Sequence, residues 1–238
     1  ATKHMCQANL DAVDAILAIR PDAIFVQSES SEYTHPAHPS LLERARFENE
    51  IRFLPMDLTF GHHVSVPMYR FLRAHEMTRE EYDSFVARPR RGTFIMGNDY
   101  YINNEHLFHE DGGRSPAGEI FGYYVITKQY YDRYHLPVMH TETNMTEEYA
   151  VQWMWKEWAS LVRLREDGVP VLGFTWYSLT DQMDWDSVLR EDLRRVNRLG
   201  LYDLNRRQRA VGRAYRKIIR EWSPLLARDA WRDAGQWR

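Results

Sequence analysis

The 238-residue chain is 44% hydrophobic and 13% aromatic with a formal charge of −3, which allows one substantial core and gives no net basicity for a nucleic-acid partner. Its single cysteine, Cys6, excludes an internal disulfide, and no apolar run approaches the roughly 18 residues of a membrane span. No signal peptide is evident, so a protein of the reducing cytoplasm, without membrane contact, is expected.

Met5, Leu10, Val13, Ile16 and Leu17 recur at helical spacing within 3–20, and Pro21 ends that helix. A chain that opens inside a helix suggests a missing N-terminal part. Residues 22–27 form a short apolar run, expected as a strand buried on both faces of a parallel sheet. The interval that follows is too long for an ordinary connection. With helical pieces at 67–75 and 78–86, residues 29–91 are expected to form a long insertion or loop region over the active-site face. A second strand is predicted at 92–97, a helix at 120–134 and a third strand at 137–140. The next helix, 146–165, buries Val151, Met154, Trp155, Trp158 and Val162, with Gly168 and Pro170 as stop signals. A fourth strand follows at 169–176. Val211, Tyr215, Ile218, Ile219 and Trp222 then mark one face of a last helix, before a polar tail with scattered tryptophans. Alternating strands and helices predict a parallel α/β fold with right-handed crossovers. Four strands leave two architectures open, an open sheet or half of a closed barrel.

Polar and aromatic residues gather where each predicted strand ends: Gln27 to Tyr33, Asn98 to Tyr101, His140 to Asn144, and Trp176 to Trp185. That edge binds ligands in barrels and open parallel sheets alike. Tryptophan and tyrosine faces suit the C–H faces of sugar rings, and carboxylates and amides suit their hydroxyls.

Four ordered motifs sharpen this picture over about 95–220. Thr141-Glu142-Thr143-Asn144 after a Val-Met strand resembles the Thr-Glu-Asn-Gly nucleophile motif of glycoside hydrolase family 1. Gly97-Asn-Asp-Tyr-Tyr101 resembles the family's Gly-x-Asn-Tyr-Tyr, whose second tyrosine touches the nucleophile. Gly173 to Trp185 resembles Gly-Tyr-Phe-x-Trp-Ser-Leu-Leu-Asp-Asn-Phe-Glu-Trp, and Arg198 to Asp203 resembles Arg-Phe-Gly-Leu-x-x-Val-Asp. The departures are Asp99 for asparagine, Thr143-Asn144 for Asn-Gly, Tyr177 at the matching tryptophan with Trp176 one position earlier, and Asp184 for the glutamate that binds distal hydroxyls.

The resemblance implies the C-terminal half, strands 5–8, of a (β/α)8 TIM barrel, and a retaining β-glycosidase of β-glucosidase type acting on a β-linked sugar. Glu142 is then the nucleophile and Tyr101 its orienting partner. Asp184, Trp185, Trp176, Tyr177, Gln182 and Asp99 are the candidate substrate-binding residues. The family's Asn-Glu-Pro acid/base motif does not occur in the chain. A missing N-terminal half barrel would supply it, while a second copy of the chain could pair with this one. Glu29 and Glu32, at a strand end, are the alternative acids.

The chemistry requires no cofactor and no metal. His62-His63 and His140 could be read as ligands, but no His-x-x-x-His spacing supports that. Trp153, Trp155 and Trp158 are expected to be helix-packing residues, and Asp181 to cap a turn. Two other classes remain open: a non-catalytic carbohydrate-binding relative and a metal-dependent barrel hydrolase.

Overall fold

The computed structural model describes residues 1–87 and 91–234. In chain order the elements are α1 (Thr2–Ile19), β1 (Phe25–Ser30), β2 (Tyr33–Pro36), α2 (Leu42–Ile51), α3 (Leu54–Phe60), α4 (Val66–Ala74), α5 (Arg79–Val86), β3 (Phe94–Asp99), β4 (Glu105–Phe108), β5 (Arg114–Pro116) and α6 (Gly122–Tyr134). They continue with β6 (Val138–Glu142), α7 (Ala150–Glu166), β7 (Val171–Phe174), β8 (Gln182–Met183), β9 (Val196–Asn197) and α8 (Ala210–Ala234). The fold is α/β, with parallel strands and flanking helices. It divides into two compact units, Ala1–Gly97 with Asn103–Pro137, and Asn98–Ile102 with Val138–Arg238.

In the first unit β1 neighbours β3. The strand expected at 22–27 begins three residues later, because Pro21 and Asp22 form a turn closed by the Ala23 N–H on the Arg20 carbonyl at 3.0 Å. Its burial alternates, and Val26 is 48% exposed, so it is not the doubly buried strand its apolar run predicts.

The 29–91 stretch is built mainly of α2 to α5, apart from 88–90, which lie outside the described residues. The helices α3, α4 and α5 form a core with α1 in which Leu10, Leu54, Leu58, Met68, Leu72 and Phe85 are buried. Thr78 caps α5 through a reciprocal bond with Glu81. The small sheet β2-β4-β5, parallel between β2 and β4, was not legible as strands. Its β4 carries Glu105, fully buried, which accepts the N–H groups of Phe121 and Gly122 at 2.8 Å and meets His35 at 2.6 Å. A carboxylate is stabilised there by the positive end of α6. Asp57 on α3 is likewise buried, and takes two bonds from Arg133 and one from Tyr134 on α6, at 2.7–2.8 Å.

In the second unit β6 and β7 pair in parallel, with Met139 opposite Gly173 and His140 opposite Phe174. A Cβ on Gly173 would stand 3.2 Å from the Met139 side chain, which would have to give by a few tenths of an ångström. The helix α7 begins at Ala150 instead of 146, since Thr146 to Tyr149 form a turn. It ends as its stop signals predict: Gly168 takes φ +82°, its N–H bonds the Arg165 carbonyl, and the Val169 N–H bonds that of Leu164. Those bonds delay the fourth strand, expected at 169–176, to Val171.

Trp153 and Trp158 are buried as expected of packing residues, with Trp158 set against Phe174 and Trp222 at 6.0 and 5.7 Å between ring centroids. Trp155 is half-buried under Lys217. The side chains of the tryptophan-bearing tail from 225 onward lie outside the described residues. No helix among the described residues is long and apolar enough to cross a membrane.

Candidate active site

The second unit holds every candidate site residue named from the four motifs. β6 ends on Glu142, whose carbonyl accepts the Tyr100 N–H at 3.0 Å from the segment that continues β3. That pairing sets Tyr101 beside the carboxylate, and the Tyr101 hydroxyl donates to Glu142 Oε1. Burial above all pushes the Tyr101 phenol well above the ordinary tyrosine range. The hydrogen bond and charge of Glu142 act in the same direction, followed by Asp99 and Tyr177. The phenol therefore keeps its proton and remains a donor.

The residue after Glu142 is held as firmly. Thr143 is fully buried, its carbonyl accepts the Tyr177 N–H at 2.9 Å, and its Oγ1 accepts the Trp153 indole N–H at 2.8 Å. Two residues before Glu142, His140 is fully buried and meets the equally buried Glu157 of α7 at 3.2 Å. Desolvation pushes the His140 imidazole below its ordinary range, against the opposing pull of Glu157. The contact joins strand β6 to helix α7. Among the described residues no group of three or more His, Cys, Asp or Glu is placed around a metal position.

The segment after β7 carries the remaining candidates. Trp185 is 39% exposed and packs on Tyr177 with ring centroids 5.7 Å apart, so these two rings form an accessible aromatic surface. Trp176 is only 4% exposed, and its indole N–H is consumed by the Leu199 carbonyl at 2.9 Å. Gln182, on β8, places its amide 3.4 Å from the Thr180 carbonyl. Asp184 is buried, with Oδ2 accepting the N–H groups of Leu193 and Arg194 at 3.1 and 2.9 Å and Oδ1 that of Arg195 at 2.8 Å. Asn197 secures the same loop by accepting the Trp185 N–H at 2.7 Å.

Asp181 does more than cap a turn. It is 3% exposed, accepts the Gly200 N–H at 3.1 Å and pairs with Arg209, which also bonds Glu147. A Cβ at Gly200 would come within 2.4 Å of the Asp181 nitrogen, so the Leu-Gly-Leu turn depends on glycine. In the first unit, Glu29 lies within β1, and Glu32 stands 3.6 Å from His106.

No family model matches this chain, and no curated protein matches it in sequence. Solved structures do match. A beta-glucosidase from Thermotoga maritima in complex with castanospermine aligns with a TM-score of 0.72 and 18% identity, covering 92% of this chain and 55% of that one. The beta-glucosidase from the same organism in complex with deoxynojirimycin aligns at 0.72 and 16%, with the same coverage. Its complex with azafagomine aligns at 0.71 and 17%. The chain has a β-glucosidase-like fold. It spans about half the length of the chains it matches, and at this identity the likeness concerns the fold alone.

Proposed function

We propose that this chain carries the nucleophile half of the active site of a retaining β-glycosidase, built on strands 5–8 of a (β/α)8 barrel. The observation that carries the proposal is the Tyr101–Glu142 hydrogen bond at the ends of neighbouring strands, within motifs that resemble those of family 1. Glu142 attacks the anomeric carbon and forms a glycosyl ester as the leaving oxygen departs. Water then cleaves the ester with retention. Tyr101 donates to one carboxylate oxygen and so fixes the plane of the other for in-line attack. Tyr177 and Trp185 offer ring faces to the sugar, and Asp99 and Gln182 offer polar groups. Trp176 and Asp184 act by shaping the segment that carries Trp185.

Such enzymes place a second carboxyl about 5–5.5 Å from the nucleophile to protonate the leaving oxygen and later activate water. No Asn-Glu-Pro occurs in the 238 residues, so this acid comes from another polypeptide segment, the N-terminal half of the barrel.

A 2,4-dinitrophenyl 2-deoxy-2-fluoro-β-glycoside tests the nucleophile separately from the acid, because dinitrophenolate leaves without protonation. Intact-mass and peptide analysis should place one sugar on Glu142. Glu142→Gln should lower turnover by roughly three orders of magnitude or more in an active preparation. Labelling on Glu29 or Glu32 instead, or activity within about tenfold of the unmodified protein, would overturn the assignment.

A further inference from the structure

We propose that Trp153, on helix α7, is a positioning residue for the nucleophile, holding Thr143 and Tyr100, the chain neighbours of Glu142 and Tyr101. The inference rests on the assignment of Glu142 above.

Helical spacing explains why residue 153 is buried, but a leucine would satisfy burial. What the indole adds is one donor and one flat face. The donor is used on Thr143 Oγ1 at 2.8 Å, with both side chains buried. The face is used on Tyr100, whose ring lies within 9° of parallel at a centroid distance of 6.0 Å. Lys156, one turn along the helix, places its Nζ 4.1 Å from the Trp153 ring centroid and 5.8 Å from that of Tyr100. It is held there by Glu157 at 3.0 Å, and Glu157 also grips His140. Helix α7 therefore anchors β6 two residues before Glu142 and again one residue after it. The same indole steadies the residue that precedes Tyr101.

Threonine at 143 is a compact acceptor for the indole N–H in a position that leaves no access to solvent. The catalytic consequence is geometric, since a misplacement of about 1 Å can cost about a hundredfold in rate.

The test compares the rate of Glu142 labelling by the fluoro-glycoside in the unmodified protein and in Trp153→Phe, Thr143→Val and Thr143→Ser. Trp153→Phe keeps a ring and loses the donor; Thr143→Val keeps the shape and loses the acceptor. Both should lower the limiting labelling rate by about ten- to a hundredfold with little change in the concentration for half-maximal rate. Thr143→Ser, which keeps the acceptor, should label like the unmodified protein. The double variant Trp153→Phe/Thr143→Val should be no slower than the worse single one, as expected of two halves of one interaction.

The indole N–H resonance of Trp153 should move in Thr143→Val and not in Thr143→Ser, which reads the hydrogen bond itself. Full labelling rates in both single variants, or strictly additive losses, would overturn the positioning role while leaving Glu142 as nucleophile. Absence of any Glu142 adduct in the unmodified protein would overturn the nucleophile assignment and this inference with it.

Discussion

An ionised carboxylate offers about four lone-pair positions, and Asp184 has committed three of them to the N–H groups of Leu193, Arg194 and Arg195. It also sits at φ 53°, a left-handed conformation that aspartate tolerates better than most residues. Its carbonyl accepts from Ser187 and Leu189, so the loop bearing Trp185 is built on this one residue. The side chain thus spends most of its acceptor capacity on the loop that carries Trp185. On the proposed glycosidase reading, Asp184→Ala releases that loop and should weaken sugar affinity by about tenfold, or about 1.4 kcal/mol, through misplacement of Trp185, and slow the chemistry of an activated aryl glycoside less. Asp184→Asn, which keeps one acceptor and tolerates the backbone, should fall between. Titrations with gluco-, galacto- and fuco-configured inhibitors, read by Trp185 fluorescence, would measure this. Unchanged affinity and unchanged preference in Asp184→Ala would refute it.

Between elements, the His140–Glu157 contact joins β6 to α7 without exposure to water. The imidazole is held below its ordinary range, chiefly by burial, so the unfolded chain takes up this proton at a higher pH than the folded one. The contribution to stability is complete above the free-histidine value of about 6.5 and is lost as the pH falls below it. The melting temperature should decline between about pH 7 and pH 5.5, and His140→Gln should show a shallower slope despite a lower melting temperature at pH 7. Equal slopes in the two proteins would remove His140 from the account.

Elements of this kind were partly legible in the sequence. Periodicity and stop signals located α4, α5 and the end of α7, because amphipathic spacing and a left-handed glycine act locally. The sheet β2-β4-β5 escaped, since four residues such as Tyr33–Pro36 carry no alternation and owe their extended form to partners about 70 residues away. The site divides in the same way. Motif order picked out Glu142 and Tyr101 by residue type. It could not reveal that Trp153 donates to Thr143, nor that Asp184 binds a backbone nine to eleven residues downstream, because such partners are chosen by the fold.

At the scale of the whole molecule, the proposed function makes a prediction about completeness. The chain spans about half the length of the β-glucosidases whose fold it shares, and the acid/base motif is absent from its sequence. β7 is the last strand in its sheet order, with β6 on one side. Beside it runs a groove of about 280 Å³ lined by Trp158, Leu161, Phe174 and Ile218. Leu172 and Ile219, also in its wall, are 46% and 51% exposed. The groove lies among β7, α7 and α8, and on the proposed reading the open edge of β7 is where the strand of another half barrel would continue the sheet. The 238-residue chain alone should therefore cleave only glycosides whose leaving group departs unprotonated, and azide should accelerate that turnover by replacing the water that lacks a general base. Alkyl glycosides should be hydrolysed only after a half barrel carrying a carboxyl at the end of its fourth strand is supplied, and the mixture should sediment as a complex. A monomeric chain that turns over alkyl glycosides at full rate, without azide or any partner, would show that its second carboxyl lies among these residues and would end the half-barrel account.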